Sequence, residues 1–409
     1  MVDFERRFSR GLWASRLVMA IGLGMGLGLL ACVSVSKPRH GDGPDTRHLK
    51  YPQPVPNSAG AMFREDPCRT GVCKTRGVPK LTGVKWEFDT KEWVHTAPTI
   101  ADGIVCFGVV DRCLYALDAT TGELKWRFMI APPRVGLHGR NYVKSTPAVA
   151  GDLVCFGGRD GRLYALDLQT GKKKWEFRIR GEVNASPAIV DGLVYFCSTD
   201  HYLRVLDLET GQELWNFEAR SWIESSPAIG DGVVCFGCGD GSLYAVDLET
   251  HEEKWRFLTR GWVDSSPAIS EGVVYVGSRD ANVYAVDLRT GKEKWRFPTG
   301  EQIVYSSPAV ARGLALIGSC DGSVYAIECE TGKQRWSFPT GDSVCSSPVI
   351  SGEVVYFSSD DGHVYAANLK TGKEQWRFRA KKEAGHGGPV VYEGVVYYGS
   401  RDGYLYALH

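Results

Sequence analysis

From residue 84 onward, short apolar runs alternate with polar breaks, and the whole pattern repeats. Residues 264–297 hold one full unit, Asp264 followed by SSPAISEGVVYVGSRDANVYAVDLRTGKEKWRF. It contains four β-rich stretches, SSPAI, VVYVG, NVYAVDL and EKWRF, broken at SEG, SRDA and RTGK. The breaks are built from Gly, Asp, Ser and Thr, residues that tight turns favour. No unit carries a helical period. Each unit is marked by a Trp followed two positions later by Phe, at Trp86, Trp126, Trp175, Trp215, Trp255, Trp295, Trp336 and Trp376, spaced by 40, 49, 40, 40, 40, 41 and 40 residues. Four strands taken eight times predict an all-β chain: an eight-bladed β-propeller of four-stranded antiparallel blades over residues 84–409. The series opens on a lone fourth strand, residues 84–88, and ends after a third strand. The amino-terminal strand is therefore expected to complete the last blade and remove the open edges of the array.

Positions that repeat around the ring are expected to serve the blade. The eight marker tryptophans should dock between blades, each burying on the order of 200 Å² with its indole N–H on a backbone carbonyl. An aspartate stands in every turn between the second and third strands, from Asp111 to Asp402, and reads as a turn cap rather than acid–base chemistry. The glycine of the TG turn recurs except at His251, where strain is expected.

Positions that vary are free to serve function. The residue before the SSP-like run reads His95, Lys144, Asn184, Glu224, Asp264, Tyr305, Cys345 and His386 and is expected to ring the channel mouth. Two positions earlier stand Trp93, Tyr142, Trp222 and Trp262, and Arg180, Arg220 and Arg260 align just upstream. Residues two apart on a strand share a side, so Trp262 should point with Asp264 and Trp222 with Glu224. Trp, Tyr and Arg are enriched at binding hot spots, which makes this rim the candidate partner-binding surface.

The run YAVDLRTGKEKW, with YALDLQTGKKKW at 164–175 and YALDATTGELKW at 115–126, resembles the tryptophan-docking motif of quinoprotein-like (PQQ-like) β-propeller repeats. The resemblance covers about 325 residues, essentially all of 84–409. Together with the amino-terminal features below, it resembles the BamB family of outer-membrane assembly lipoproteins, which implies a non-enzymatic scaffold with protein partners at the outer membrane. The wider resemblance also implies an alternative: a dehydrogenase using pyrroloquinoline quinone and calcium, with oxygen ligands from Asn184, Glu224 and Asp264. The quinoprotein alcohol dehydrogenases carry an adjacent Cys-Cys pair, and this sequence has none. A soft-metal site at Cys345, His386 and His95 is a third reading. The expectation adopted is a scaffold with no catalytic residue, no metal and no cofactor.

Residues 1–32 read as a signal peptide: arginines at 6, 7, 10 and 16, an apolar stretch over 17–31, and LLAC, a lipobox-like end that would lipidate Cys32. Residues 33–83 are rich in Pro, Gly and charge without apolar periodicity and read as a tether. The expected location is therefore the periplasmic face of the outer membrane, as a monomer within a larger complex, with a soluble exported protein as the alternative. Charges balance at 48 against 48, so no overall field recruits nucleic acid. Of 12 cysteines, Cys68 and Cys73 flank a short loop whose spacing permits a small disulfide. Cys106, Cys155 and Cys235 read as core fillers. Cys235 and Cys238 should point to opposite faces of one strand.

Overall fold

The computed structural model describes residues 63–132, 141–381 and 387–409, and every regular element among them is a strand. Eight sheets form the blades, at 99–129, 148–178, 188–218, 228–258, 268–298, 309–339, 349–379 and 390–408. The eighth is completed by Val84–Asp89, which pairs antiparallel with Tyr404–Leu408 and joins the two ends of the repeat array. His409 continues that seam, donating to Gly83 O at 3.0 Å and accepting from Thr82 N. The architecture is the expected eight-bladed propeller.

Burial follows position in the blade. Second strands such as Val233–Gly237 are buried throughout, while outer strands such as Glu293–Pro298 expose alternate residues. A bulge next to the marker Trp, as between Ala285 and Val286 opposite Trp295, shifts the outer strand by one residue. The indole then faces the next blade. Trp126 donates to Leu168 O, Trp175 to Leu208 O, Trp255 to Leu288 O, Trp295 to Cys329 O and Trp336 to Leu369 O, each in the following blade. Trp86 closes the circle on Ala119 O of blade one.

The TG glycine is required twice over. Gly291 has φ +68°, and a Cβ there would come within 2.7 Å of Trp255. His251, which replaces that glycine in blade four, keeps φ +61° and lays its ring flat on Trp215, with centroids 4.3 Å apart and planes 11° apart. The strain expected at His251 is thus accompanied by a stacking contact.

The SSP run builds two sets of bonds. The first hydroxyl ties the inner strand to the second strand of its own blade, as Gly237 N to Ser225 Oγ at 2.9 Å. The second forms a hoop between blades: Thr146 N donates to Ser186 Oγ, Ser186 N to Ser226 Oγ, Ser226 N to Ser266 Oγ, Ser266 N to Ser307 Oγ and Ser307 N to Ser347 Oγ, all at 2.8–3.0 Å.

The described part of the expected tether, 63–83, is built into the ring. Val72–Cys73 adds as a parallel fifth strand beside the inner strand Val349–Ser351. Amides of Ile229, Ile269, Val310 and Ile350 donate in turn to the carbonyls of Pro67, Cys68, Thr70 and Gly71, so the segment crosses the inner strands of blades four to seven. Arg69 is fully buried and bonds to the carbonyls of Pro227, Ser186 and Phe63; Arg64 bonds to those of Pro308, Pro348 and Arg69. Composition hid this, because alongside the few apolar residues it buries, Cys73 and Val78, the segment buries two arginines on backbone carbonyls. Val78 O then accepts Trp376 Nε1 at 2.7 Å, serving the seventh docking contact. Residues 1–62, with the signal segment and Cys32, lie outside the described residues.

Candidate functional site

The segment 63–78 occupies the end of the channel where inner strands run toward their second strands. The other end carries the loops entering each blade and the turns holding the eight aspartates, and there the variable residues collect. Seven of the turn aspartates accept the hydroxyl of a third-strand tyrosine. Asp240 is typical of the caps: it accepts Ser242 N at 2.9 Å and Tyr244 OH at 2.6 Å. In blade three Arg204 replaces that tyrosine and pairs with Asp200 at 2.8 Å.

The expected channel-mouth ring closes across the channel. Lys144 of blade two reaches Glu224 of blade four at 3.2 Å, and its ammonium lies 4.8 Å from the Tyr305 ring of blade six. Asn184 donates to Glu224 Oε1 at 2.8 Å and to Glu182 at 3.0 Å. Burial disfavours charge on both partners, yet Lys144 holds the Glu224 carboxyl below its ordinary range and Glu224 holds the Lys144 ammonium above its own. Asp264 is buried and paired with Arg279; burial and nearby Glu224 raise its pKa while Arg279 opposes them. His95 packs on Tyr142 at 5.0 Å, Cys345 meets Cys320, and His386 lies outside the described residues.

This arrangement does not fit calcium. A hard cation needs oxygens converging on one free position, and here each carboxylate already faces a resident cation, Lys144 or Arg279. The soft-metal reading includes His386, which lies outside the described residues; among the described residues no three His, Cys, Asp or Glu side chains form a metal-sized group.

The aromatic rim divides in two. Trp93 is 50% exposed and Trp262 47%, whereas Tyr142 and Trp222 are partly buried. Trp222 packs edge-on against Trp262, centroids 4.9 Å apart at 85°, and fills the space over Gly239. Arg279 lies 4.7 Å from the Trp262 ring while bonding Asp264, so Trp262 and Asp264 do share a side. Arg159 serves Tyr142 and Glu182 alike, and Arg401 covers Trp93 at 5.7 Å. Arg180, Arg220 and Arg260 are exposed. Arg260, Trp262, Arg279 and Gln302 line an open groove of about 500 Å³.

Sequence reasoning missed Arg159, Arg279, Arg401 and Cys320. The signal was present: the residue before each constant turn aspartate also varies, reading Val110, Arg159, Thr199, Gly239, Arg279, Cys320, Asp360 and Arg401. This second variable ring meets the first. Cys68 and Cys73 do not face each other: Cys68 donates to Ile229 O at 3.2 Å and Cys73 to Glu65 Oε1 at 3.1 Å.

Fold and motif together define a PQQ-like eight-bladed β-propeller. One family model, described as the beta-propeller of beta-alanine-activating enzyme, matches residues 193–409, and a second, described as outer membrane protein assembly factor BamB, matches 82–201 and 134–250. The first spans more than half of the chain, which belongs to that beta-propeller family. No curated protein sequence matches. Among solved structures, BamB from Moraxella catarrhalis aligns at TM-score 0.66 and 19% identity, over 80% of this chain and 99% of that one. Quinohemoprotein alcohol dehydrogenase from Comamonas testosteroni aligns at 0.73 and 15%, over 86% and 80%. The computationally designed Ika8 aligns at 0.67 and 18%, over 81% and 98%. Identities this low carry the fold alone.

Proposed function

We propose that this protein is a non-enzymatic scaffold that binds an envelope protein, or an extended segment of one, through the aromatic and arginine-rich rim at the loop-side mouth. The reading includes export, a lipid anchor at Cys32 and a BamB-like role in outer-membrane protein assembly. The carrying observation is the half-exposed Trp262 in an open groove beside Arg260. Large aromatics left in water at a groove are candidate anchors for a partner. Three exposed arginines along the same rim favour a partner bearing carboxylates among its apolar side chains. The mouth itself is crossed by the Lys144–Glu224 pair.

The experiment is a crosslinked pull-down from envelope extracts with the wild type and a W93A/W222A/W262A variant, each checked for an intact melting transition. The folded variant should lose the specific partners. Identical partners on both would overturn the reading. Titration of the wild type with pyrroloquinoline quinone and calcium should give no tight absorbance change; tight binding with dye reduction by alcohols would establish the dehydrogenase instead.

A further inference from the structure

The two variable rings bring two thiols together where blade six meets blade seven. Cys320 stands in the turn between the second and third strands of blade six, and Cys345 at the entrance to the inner strand of blade seven. The two thiols lie close enough for each to shift the other, Cys345 lowering the pKa of Cys320 and Cys320 raising that of Cys345. The backbone fixes the approach: Val344 N donates to Ser319 O at 3.0 Å, Ser343 Oγ to Cys320 O at 3.1 Å, and Cys320 N to Gln302 O at 3.1 Å. Cys345 is 8% exposed, and Cys320 is the more open of the two. The other described thiols near the channel point elsewhere: Cys68 to Ile229 O, Cys73 to Glu65, and Cys238 to the carbonyls of Ser221 and Trp222.

We propose that Cys320 and Cys345 are a modification site, a dithiol that closes to a disulfide across the blade six–seven boundary by exchange with a disulfide-bearing oxidant. The Cys320 thiolate attacks one sulfur of the oxidant and expels the first thiolate, leaving a mixed disulfide. Cys345 then gives up its proton, attacks Cys320 Sγ and expels the second thiolate. Two protein thiols are oxidised, one oxidant disulfide is reduced to two thiols, and the two protons end on them. The order follows from exposure. It agrees with the thiol chemistry, since nearby Cys345 lowers the Cys320 pKa while Cys320 and burial raise that of Cys345.

The test treats the reduced full-length protein with oxidised glutathione, caps remaining thiols with N-ethylmaleimide and maps peptides without reduction. The Cys320–Cys345 link should form ahead of any other. Cys345→Ser should trap glutathione on Cys320, and Cys320→Ser should leave Cys345 free. A map in which another pair, such as Cys68–Cys73, links while Cys320 and Cys345 stay capped overturns the proposal. So does a folded Cys345→Ser variant carrying no glutathione at Cys320. The wild-type map decides alone if either variant fails to fold.

Discussion

At His95 burial and three cations act on one imidazole. Desolvation first, then Lys144, Arg401 and Arg159, bring its pKa down to about 3. An unfolded histidine takes its proton near pH 6.5. The folded state therefore binds fewer protons between these values, and the contribution of neutral His95 is full above about pH 6.5 and lost as pH falls toward 3. Relative to His95→Asn, the wild type should lose stability on acidification from pH 6 to 5, with a slope approaching about 1.4 kcal/mol per pH unit. Urea titrations of both proteins across that range measure it; parallel profiles would remove His95 from the account. The same scale holds the lesson of the turn aspartates. Their constancy around the ring is explained by the caps they form, whereas the variable residues beside four of them, Arg159, Arg279, Cys320 and Arg401, meet the residues of the mouth and rim.

Among the elements, the segment 63–78 differs most from its sequence. Its guanidinium groups have carbonyls rather than carboxylates as hydrogen-bond partners, and burial lowers the pKa of Arg64 and Arg69 to about 9 each. Truncating Arg69 leaves the carbonyls of Pro227 and Ser186 without that donor, at roughly 1–3 kcal/mol for each buried group stranded. Arg69→Ala should therefore lower unfolding stability by about 3–5 kcal/mol in urea, and Arg69→Lys, which keeps the charge but loses the planar fork, should recover only part of it. A loss below about 1 kcal/mol would mean that the segment does not brace the ring. The hoop of Ser186, Ser226, Ser266, Ser307 and Ser347 joins the blades at the same inner wall, so segment and hoop reinforce one another.

For the whole ring, closure rests on one seam. Trp86 of the amino-terminal strand docks on Ala119 O and packs against Tyr397 at 5.8 Å, joining blades eight and one. Trp86→Ala should cost about 3–5 kcal/mol. The loss should be uneven: hydrogen exchange should show protection falling first in blades one and eight, with blades four and five following only at global unfolding. Uniform loss around the ring would show that closure is not the local weak point. A closed ring also explains how one mouth can gather residues from blades two, four and six, as Lys144, Glu224 and Tyr305 do.

The sequence by itself determined the number of blades, the docking tryptophans, the closing strand and the rank of variable positions, because each repeats at a fixed period and obeys local strand and turn chemistry. It also placed Trp262 and Asp264 on one side, since strand alternation is local. Only the tertiary structure decided which variable residues meet. Lys144 and Glu224 are 80 positions apart, and nothing in their spacing says that one channel narrows until they touch. The same holds for Arg64 and Arg69, whose burial depends on carbonyls supplied by distant blades, and for Cys320 and Cys345, joined by the boundary between two neighbouring ones. Periodicity reports the blade; contacts across the ring have no period to report.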